Sequence, residues 1–371
     1  MIERTVLVKL LLALLVSVFV SFLSTPLVKS LAYRVGAIDV PKDNRRMHHT
    51  PIPRLGGLAI FLGFILSTLL FVEIDRQFQG ILLGSVIIVI LGVLDDSYSL
   101  KAVPKFLVQI VAAGVAVAHG CVIQFISNPN VFSASTYVNL GWLSIPVTII
   151  WIVTITNAVN FIDGLYGLAV GVSAISTASL LVIALLVSEG NVAVILAALL
   201  GACLGFIPYN LNPAKIFMGD TGATFLGFIM ACLSVQGLFK FYAIISFAVP
   251  FLILGVPIFD ICFAVIRRLL KGQNPMQADR GHIHHRIIDM GFNQKQSVAI
   301  TYMLTAILGL SAVVLTSSGE MRALVLIGAI LLVGGIGVTM IFNNKHPRQH
   351  TEEDLPSETP TDVEETDDGK A

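Results

Sequence analysis

The chain has 371 residues, of which 56% are hydrophobic and only 12% are charged, with 23 basic and 23 acidic side chains. Soluble domains carry about 25% charged residues, so this composition, with a mean hydropathy of +0.87, excludes an ordinary soluble enzyme. It predicts one all-α domain that crosses a membrane several times. The balanced charge gives no argument for a nucleic-acid partner, and none is expected.

Apolar stretches long enough to cross a bilayer follow one another along most of the chain. Since a transmembrane helix needs about 20 apolar residues, about eleven helices are predicted, at residues 6–24, 56–72, 80–95, 106–124, 143–161, 166–188, 192–209, 223–239, 241–267, 298–317 and 322–342. The first is interpreted as a retained helix, because no small-residue cleavage site of a signal peptide follows it. Pro250 and Pro257 predict a kinked or broken ninth helix.

The C-terminal residues differ from the rest in composition. Residues 343–371 are acidic, contain proline and nearly lack aromatic side chains, which predicts a disordered, solvated tail. The expected organisation is therefore a membrane domain over residues 1–342 and a cytoplasmic tail over residues 343–371.

The positions of lysine and arginine predict the orientation of the chain in the membrane. With the N-terminus outside and eleven helices, 18 of the 23 basic residues fall on the cytoplasmic side. The C-terminus is then cytoplasmic as well. The same topology places four polar motifs together on the cytoplasmic face of the plasma membrane.

The first of these motifs, Asp95-Asp96, ends the third predicted helix. Two adjacent carboxylates repel each other unless a positive charge compensates them. Mg²⁺ does so where phosphates react, because it takes hard oxygen ligands and keeps positions open for phosphate. A pair of aspartates is a weak signal by itself, and a solvated helix end explains it equally well.

The second motif reads NAVNFIDGLYGLAVG at residues 157–171. A helix would place Asn157, Asn160 and Asp163 on one face, and the glycines that follow allow a tight turn close to a ligand. Amides and a carboxylate on one stripe of an apolar helix are costly in lipid, so they must face protein, water or a substrate. Hydrogen bonding between helices is the alternative interpretation.

The third motif reads NPAKIFMGDTG at residues 212–222 and precedes the eighth predicted helix. Asp220 lies among glycines there, which indicates a carboxylate near the backbone amides of a helix N-terminus. Such a terminus also favours anions such as phosphate. Asn210 is a candidate for contacting a base or sugar, and Phe217 for stacking on a ring, although packing at the membrane interface also explains Phe217.

The fourth motif reads DRGHIHHR at residues 279–286. Three histidines suggest zinc, but no cysteine accompanies them, and the other motifs supply carboxylates and amides. Histidine beside arginine suits phosphate binding, so contact with a phosphate or nucleotide is favoured over zinc or a solvated loop. Asp260, inside the ninth predicted helix, is expected to be functional or paired. The basic segment 42–57 is interpreted as an anchor at lipid headgroups, or as a steering site for an anionic substrate.

The chain resembles the polyprenyl-phosphate N-acetylhexosamine-1-phosphate transferases in five segments that occur in the same order: PRLGG (53–57), VLDD (93–96), NAVNFIDG (157–164), NPAKIFMGDTG (212–222) and DRGHIHHR (279–286). The likeness covers about residues 20–310. The HIHH loop is similar to that of the branch acting on UDP-N-acetylglucosamine. The resemblance implies transfer of N-acetylglucosamine-1-phosphate to undecaprenyl phosphate with release of UMP, which would start a cell-envelope polymer such as teichoic acid or the O antigen of lipopolysaccharide.

The resemblance also implies roles for individual residues. Catalysis is expected of Asp95, Asp96, Asp163 and His284. A Mg²⁺ ion, or Mn²⁺ in its place, would be held by Asp220 and Asp95. Substrate binding is expected of Asn157, Asn160, Asn210, Phe217, Arg280, His282 and His285. The implied partners are UDP-N-acetylglucosamine, undecaprenyl phosphate, membrane lipid and a second copy of the chain, although no dimer interface is visible in the sequence.

One position departs from the family pattern. The pattern DGxDG reads DGLYG here, so that Tyr166 replaces the second aspartate. In relatives this position is expected to help hold the nucleotide, and tyrosine offers a ring and a hydroxyl but no carboxylate. Two other functions therefore stay open: a catalytically impaired scaffold or regulator of cell-wall assembly, and a secondary transporter, which would place its polar residues near mid-membrane.

Overall fold

The structure, a computed structural model, describes residues 4–40, 51–127, 137–237, 248–270, 272 and 281–317. Most of these residues are helical. The α-helices within these ranges are α1 (Arg4–Val35), α2 (Gly57–Phe71), α3 (Arg76–Tyr98), α4 (Ala102–Ala118), α5 (Ser144–Phe161), α6 (Leu168–Leu186), α7 (Gly190–Asn210), α8 (Gly219–Gly237), α9 (Ala248–Ile253), α10 (Gly255–Leu270), α11 (Ile283–Asp289) and α12 (Gln294–Ser317).

Several of the helices have the length and composition of membrane spans. Within the described ranges, six are long and apolar enough to cross a membrane: α1, α3, α5 with its preceding turn, α6, α7 and α12. Helices α2 and α4 are apolar but shorter. The prediction of an all-α membrane protein is confirmed, whereas the number of eleven spans and the sides of the two termini stay predictions.

Some predicted elements differ from the described ones or fall outside them. The ninth predicted helix is described from residue 248 onward as two elements, α9 and α10, which confirms the expected break near Pro250 and Pro257. Helix α11 was not predicted, since a helix of seven residues is too short for hydrophobic periodicity to reveal it. The predicted helix 322–342, the tail 343–371 and Arg280 lie outside the described residues.

Helix α8 lies at the centre of the bundle and positions the third motif. Phe225 and Phe228 are fully buried on it. Its backbone approaches neighbouring helices closely at glycines: a Cβ atom at Gly92 of α3 would overlap the backbone of Thr221, and one at Gly227 would overlap Thr156 of α5. Small residues permit such approaches between membrane helices. The first turn of α8, which carries the acidic residue of the third motif, is therefore held between α2, α3 and α5.

The PRLGG segment docks on the third motif through its backbone. Strands β1 (Ile38–Asp39) and β2 (Ile52–Pro53) pair antiparallel, and the carbonyl of Pro53 accepts a hydrogen bond from Phe217 N at 2.8 Å. Gly56 N and Gly57 N then donate to the carbonyls of Phe217 and Met218 at 2.9 and 2.8 Å. This part of the basic segment is thus a structural support of the third motif. A second pair, β3 (Phe125–Ser127) and β4 (Tyr137–Asn139), lies at the opposite ends of the helices.

Replacing Gly57 by alanine should destabilise the protein, because the new Cβ would overlap the backbone of Gly222, which no change of rotamer can relieve. Overpacking of a tight contact costs about 1–3 kcal/mol, and a contact between two backbones should reach about 3 kcal/mol. Thermal unfolding of the detergent-purified variant measures the effect, with an expected drop in midpoint of roughly 5 °C.

Gly114 provides the matched control for that substitution. It lies in α4, and no atom outside its own helix lies within 4 Å of the position that its Cβ would take. Gly114→Ala should therefore leave the midpoint unchanged or raise it slightly, since alanine is the better helix former by about 1 kcal/mol. Equal midpoints for both variants would contradict the close approach of α2 and α8.

Candidate active site

Polar side chains from distant motifs gather at one end of the helix bundle. They line a cavity of about 340 Å³, which we call the polar cavity, formed by Asp39, Arg54, Asp96, Asp163, Gly164, Leu165, Tyr166, Asn210, Phe217, Gly219, Asp220, His285 and Gln294. The predicted clustering of the motifs on one face is thereby observed. Polar residues at a helix end, rather than at mid-membrane, do not favour the transporter interpretation.

A second cavity, of about 460 Å³, lies beside the first and has mostly apolar walls. We call it the apolar cavity; it is lined by Leu91, Gly92, Asp95, Ala102, Lys105, Phe106, Gln109, Val153, Thr154, Asn157, Asn160, Phe161, Asp220, Thr224, Ile261, Val265, Arg268 and His282. Asp220 lines both cavities. The two spaces therefore meet at the first turn of α8, where one carboxylate can face ligands in both.

Lys105 of α4 compensates the acidic residues at this junction. Its Nζ donates to Asp95 Oδ2 at 2.6 Å and to Asp220 Oδ2 at 3.1 Å. This lysine was not predicted as a site residue. Its position near the start of an apolar helix and close in sequence to Asp95 could have indicated it. The positive charge that the Asp95-Asp96 pair requires is thus partly supplied by the chain itself.

Asp95 and Asp96 have different surroundings although they are adjacent. Asp95 also accepts from Leu100 N through Oδ1, at 2.7 Å, so both of its oxygens are engaged. Asp96 accepts from Asp220 N at 3.1 Å and from Thr221 N and Oγ1 at 3.0 and 2.6 Å. It therefore caps the start of α8, as an acidic side chain at a helix N-terminus does. This gives Asp96 a structural part, and its predicted catalytic role stays a prediction.

Arg54 of the PRLGG segment reinforces this cap. Its guanidinium donates from Nε and Nη2 to the backbone carbonyl of Asp96, both at 3.1 Å, and its Nε lies 3.8 Å from Asp96 Oδ1. The residue also lines the polar cavity. The basic segment thus places a guanidinium beside the acidic residues, in addition to any contact with lipid headgroups.

Asp163 lies in the polar cavity but not on the predicted helical stripe. Helix α5 ends at Phe161, and Asp163 belongs to the turn that leads into α6. Burial raises the pKa of its carboxyl group to about 8, with the negative charges of Asp220 and Asp96 adding to the effect. A cation bound in the cavity would lower this pKa again and favour the ionised carboxylate.

The two asparagines of the same motif face the apolar cavity. Asn157 Nδ2 donates to Gln109 Oε1 of α4 at 2.6 Å and to the carbonyl of Val153 at 2.8 Å. The alternative interpretation, hydrogen bonding between helices, therefore applies to Asn157. Asn160 also lines this cavity. Their predicted part in substrate binding stays a prediction.

An aromatic pair forms one wall of the polar cavity. The rings of Tyr166 and Phe217 stack with centroids 5.5 Å apart and planes at 19°. Buried Asn210 holds the two segments together, because its Oδ1 accepts from Gly167 N at 3.1 Å and its Nδ2 donates to the carbonyl of Ile216 at 2.9 Å. Gly167 has φ +75°, which glycine adopts readily. The tyrosine therefore extends the ring surface that Phe217 presents to a ligand.

The histidines of the fourth motif are divided between the two cavities. His282 lines the apolar cavity and His285 the polar one. His284 is buried between them, and its Nε2 has no hydrogen-bond partner among the described residues. Burial lowers the pKa of His284 to about 3, with the neighbouring His285 adding to the effect. His284 is therefore neutral near pH 7 and offers no positive charge to a phosphate.

The described residues fit a magnesium ion that takes some of its ligands from the protein and the others from a substrate. No group of three or more histidine, cysteine, aspartate or glutamate side chains within the described ranges could hold a metal ion by itself. Mg²⁺, however, is usually bound by one or two carboxylates together with substrate phosphates. Lys105 Nζ, between Asp95 and Asp220, takes a position that suits a cation. Asp95 and Asp220, which flank that position, stay the predicted metal ligands, and Asp163 of the polar cavity is a further carboxylate near Asp220.

Comparison with known proteins shows likeness over most of the chain. The family described as glycosyl transferase family 4 matches residues 78–238. The chain is 41% identical over 343 residues to the probable undecaprenyl-phosphate N-acetylglucosaminyl 1-phosphate transferase of Bacillus subtilis strain 168, covering 91% of this chain and 94% of that protein.

Two further relatives cover somewhat less of the chain. The decaprenyl-phosphate N-acetylglucosaminephosphotransferase of Mycobacterium tuberculosis strain ATCC 25618 / H37Rv is 33% identical over 349 residues, which is 86% of each protein. The undecaprenyl-phosphate alpha-N-acetylglucosaminyl 1-phosphate transferase of Escherichia coli K12 is 28% identical over 285 residues, covering 76% of this chain and 77% of that protein. The range matched by the family includes most of α3, all of α4 to α8 and the residues Asp95, Asp96, Asp163 and Asp220.

Proposed function

The chain belongs to the polyprenyl-phosphate N-acetylhexosamine-1-phosphate transferases, and from this membership and its two joined cavities we propose the reaction that it catalyses. It transfers N-acetylglucosamine-1-phosphate from UDP-N-acetylglucosamine to undecaprenyl phosphate and releases UMP. The relatives are named for N-acetylglucosaminyl-1-phosphate transfer to undecaprenyl or decaprenyl phosphate. Nothing observed favours a scaffold or a transporter.

The observation that carries the proposal is the meeting of a polar and an apolar cavity at Asp220. A nucleotide sugar is polar and charged, whereas a polyprenyl phosphate has a long apolar tail and a charged head. Two cavities of opposite character with a common charged junction match this pair of substrates. We place the nucleotide sugar in the polar cavity and the lipid in the apolar cavity, with both reacting phosphates beside Asp220.

The polar cavity supplies contacts for the donor. The stacked rings of Tyr166 and Phe217 offer an aromatic surface to the uracil base. The guanidinium of Arg54 and the ring of His285 offer contacts to the pyrophosphate. Asn210 holds the turn and the loop that carry the aromatic pair, so it acts on the nucleotide chiefly by fixing that surface.

The apolar cavity supplies contacts for the acceptor. Phe106, Ile261 and Val265 provide an apolar wall for the first isoprene units, and Lys105, Arg268 and His282 lie where the phosphate head would be. Arg268 is buried, with 3% of its surface exposed. A cation held in an apolar wall attracts an anionic head while the tail stays in contact with apolar side chains.

The reaction is a displacement at the sugar-linked phosphorus. An oxygen of the lipid phosphate attacks this phosphorus, a new phosphorus–oxygen bond forms, and the bond to the oxygen of UMP breaks. Mg²⁺ held by Asp220 with Asp95 or Asp163 would supply positive charge for the phosphate oxygens. Lys105 and Arg54 supply further positive charge, and the cavity walls position both substrates. The lipid phosphate is largely ionised near pH 7, so positioning is the main task of the chain.

The excess of lysine and arginine on one side supports a cytoplasmic active site in the plasma membrane.

The experiment that tests the function measures UMP release by protein purified in detergent, with undecaprenyl phosphate, UDP-N-acetylglucosamine and Mg²⁺. We expect release only when lipid and metal are both present. Absence of release with this and other UDP-sugars would contradict the transferase and favour the scaffold.

The same assay defines the part played by Tyr166. Tyr166→Asp should raise KM for UDP-N-acetylglucosamine about 3- to 10-fold, because it removes a stacked ring and adds a carboxylate beside Asp163. Tyr166→Phe should stay within about 2-fold of the wild type, since it keeps the ring. Tyr33→Asp, at an exposed position on α1, is the control.

A lower KM for Tyr166→Asp would show instead that tyrosine weakens a carboxylate site for the nucleotide. An unchanged KM would show that the departure from the family pattern is neutral and that Phe217 alone provides the ring surface.

A further inference from the structure

Asp260 is a buried carboxylate that the reaction described above does not use. It lies on α10 with 2% of its surface exposed. Taking a carboxylate out of water into an apolar helix is costly unless hydrogen bonds satisfy it. Both of its oxygens are satisfied by the fourth motif: Oδ2 lies 2.8 Å from His282 Nδ1, and Oδ1 accepts from Ile283 N at 2.7 Å.

The first of these contacts fixes the orientation of the His282 ring. Because the Asp260 carboxylate accepts a hydrogen bond from Nδ1, that nitrogen carries a proton whether or not Nε2 does. The ring nitrogen that remains for a ligand is Nε2. His282 lines the apolar cavity together with Lys105, Arg268 and Asp220. Nε2 is therefore the ring nitrogen that a ligand in the apolar cavity can reach.

The second contact fixes the helix that follows. Ile283 is the first residue of α11, and His282 precedes it as the N-cap with φ −68° and ψ 154°. The Asp260 carboxylate thus accepts from a backbone N–H at the start of a helix, where no partner within the helix exists. One side chain on α10 consequently holds both the ring of His282 and the start of the helix that carries His284 and His285.

We propose that Asp260 is a positioning residue of the transfer reaction, which acts through His282 by keeping its Nε2 directed at the reacting phosphates. The inference rests on the proposed function, since the phosphates are those of the donor and the lipid acceptor. Hydrogen bonds of this kind orient histidine rings at metal sites, where their loss costs about 10- to 100-fold in affinity or activity. Nε2 donates to a phosphate oxygen when protonated and accepts from a hydroxyl when neutral.

The test is a double-mutant cycle of Asp260→Asn and His282→Gln, read by UMP release. Asparagine has the shape of aspartate but cannot accept at both oxygens, so the ring loses its fixed orientation. Asp260→Asn should lower kcat about 10- to 100-fold and leave KM for UDP-N-acetylglucosamine within about 3-fold. His282→Gln should give a similar loss. In the His282→Gln background, Asp260→Asn should change kcat by less than about 2-fold.

Two results would overturn the inference: wild-type kcat for Asp260→Asn, or losses that multiply in the double variant. Ser176→Ala is the matched control, because its hydroxyl makes a buried contact with the carbonyl of Ile253 away from both cavities. It should keep the wild-type kcat. A wild-type protein that releases no UMP would contradict the proposed function, whereas an active wild type with an unaffected Asp260→Asn would contradict this inference alone.

If Asp260→Asn fails to fold, a further variant distinguishes the effect of Asp260 on the His282 ring from its effect on the start of α11. Ile283→Pro removes the backbone N–H that donates to Asp260 Oδ1 and replaces a partly buried side chain, and proline is tolerated at the first position of a helix. The extended conformation of His282 is also the one that precedes proline. We expect less than about 3-fold loss of kcat for Ile283→Pro against 10- to 100-fold for His282→Gln. The reverse order would overturn the inference, because Asp260 would then act through α11.

Discussion

Replacing Asp220 by asparagine is expected to lower UMP release about 100- to 1,000-fold or more, as the loss of one charge-stabilising group at a reacting centre commonly does. Asp220 lines both cavities and accepts a hydrogen bond from Lys105. Asparagine fills the same space but cannot balance the charge of the lysine or bind a divalent cation as a carboxylate does. The loss should fall on kcat, because the aromatic wall proposed to bind the nucleotide is unchanged.

The measurement compares initial rates of UMP release over a range of Mg²⁺ concentrations. Asp75→Asn is the matched control, since Asp75 also lies at the start of a helix, where it caps α3 by accepting from Phe78 N at 2.7 Å. That cap lies at the opposite ends of the helices and asparagine preserves it. Asp75→Asn should keep the wild-type rate. If Asp220→Asn kept more than about a tenth of the activity, the role of Asp220 at the junction would be wrong.

The membrane class, most of the helices and the grouping of the motifs were predictable from the sequence, because hydrophobic length and charge bias carry this information. The ends of α3, α5 and α7 and the start of α8 then had to meet on one side. Asp220, Asp163, Asn210 and Phe217 were all predicted, and they line the same cavity. A polar residue at a helix end is visible in a sequence because its apolar neighbours set it apart.

The separation into two cavities was not predictable, because it depends on the direction in which each side chain points. Asn157 and Asn160 face the apolar cavity, whereas Asp163 of the same motif faces the polar one, since α5 ends between them. A helical stripe drawn through all three residues does not show that break. The different contacts of Asp95 and Asp96 have the same origin, because adjacent residues on a helix point about 100° apart.

Contacts between segments far apart in the sequence were not predictable either. The PRLGG segment was interpreted as an anchor or steering site, and its partner, the loop at Phe217 and Met218, was not predicted. The pairing of Asp260 with His282 joins residues whose positions in the sequence say nothing about their contact. Polar residues in an apolar helix predict that a partner exists, and only the packing of the helices identifies it.

Lys105→Met should lower UMP release about 100-fold and should also lower the Mg²⁺ concentration needed for half-maximal rate. The ammonium group lies between Asp95 and Asp220, at 2.6 and 3.1 Å. Without it, the carboxylates hold a divalent cation more tightly, since no competing charge is present. The rate falls nevertheless, because a cation is lost from the point where two anionic substrates meet, and charge stabilisation of this kind is worth about 10²- to 10³-fold.

A lower rate together with a lower Mg²⁺ requirement distinguishes a role in charge balance from simple damage to the fold. A misfolded variant would lose rate without requiring less Mg²⁺. Lys101→Met is the matched control, because Lys101 directly precedes α4, is exposed and makes no capping hydrogen bond with its side chain. Lys105→Arg should retain more activity than Lys105→Met, since it keeps the charge but changes its geometry. A higher Mg²⁺ requirement in Lys105→Met would mean that the lysine helps to assemble the cation site, and the assignment of Lys105 as its competitor would then be wrong.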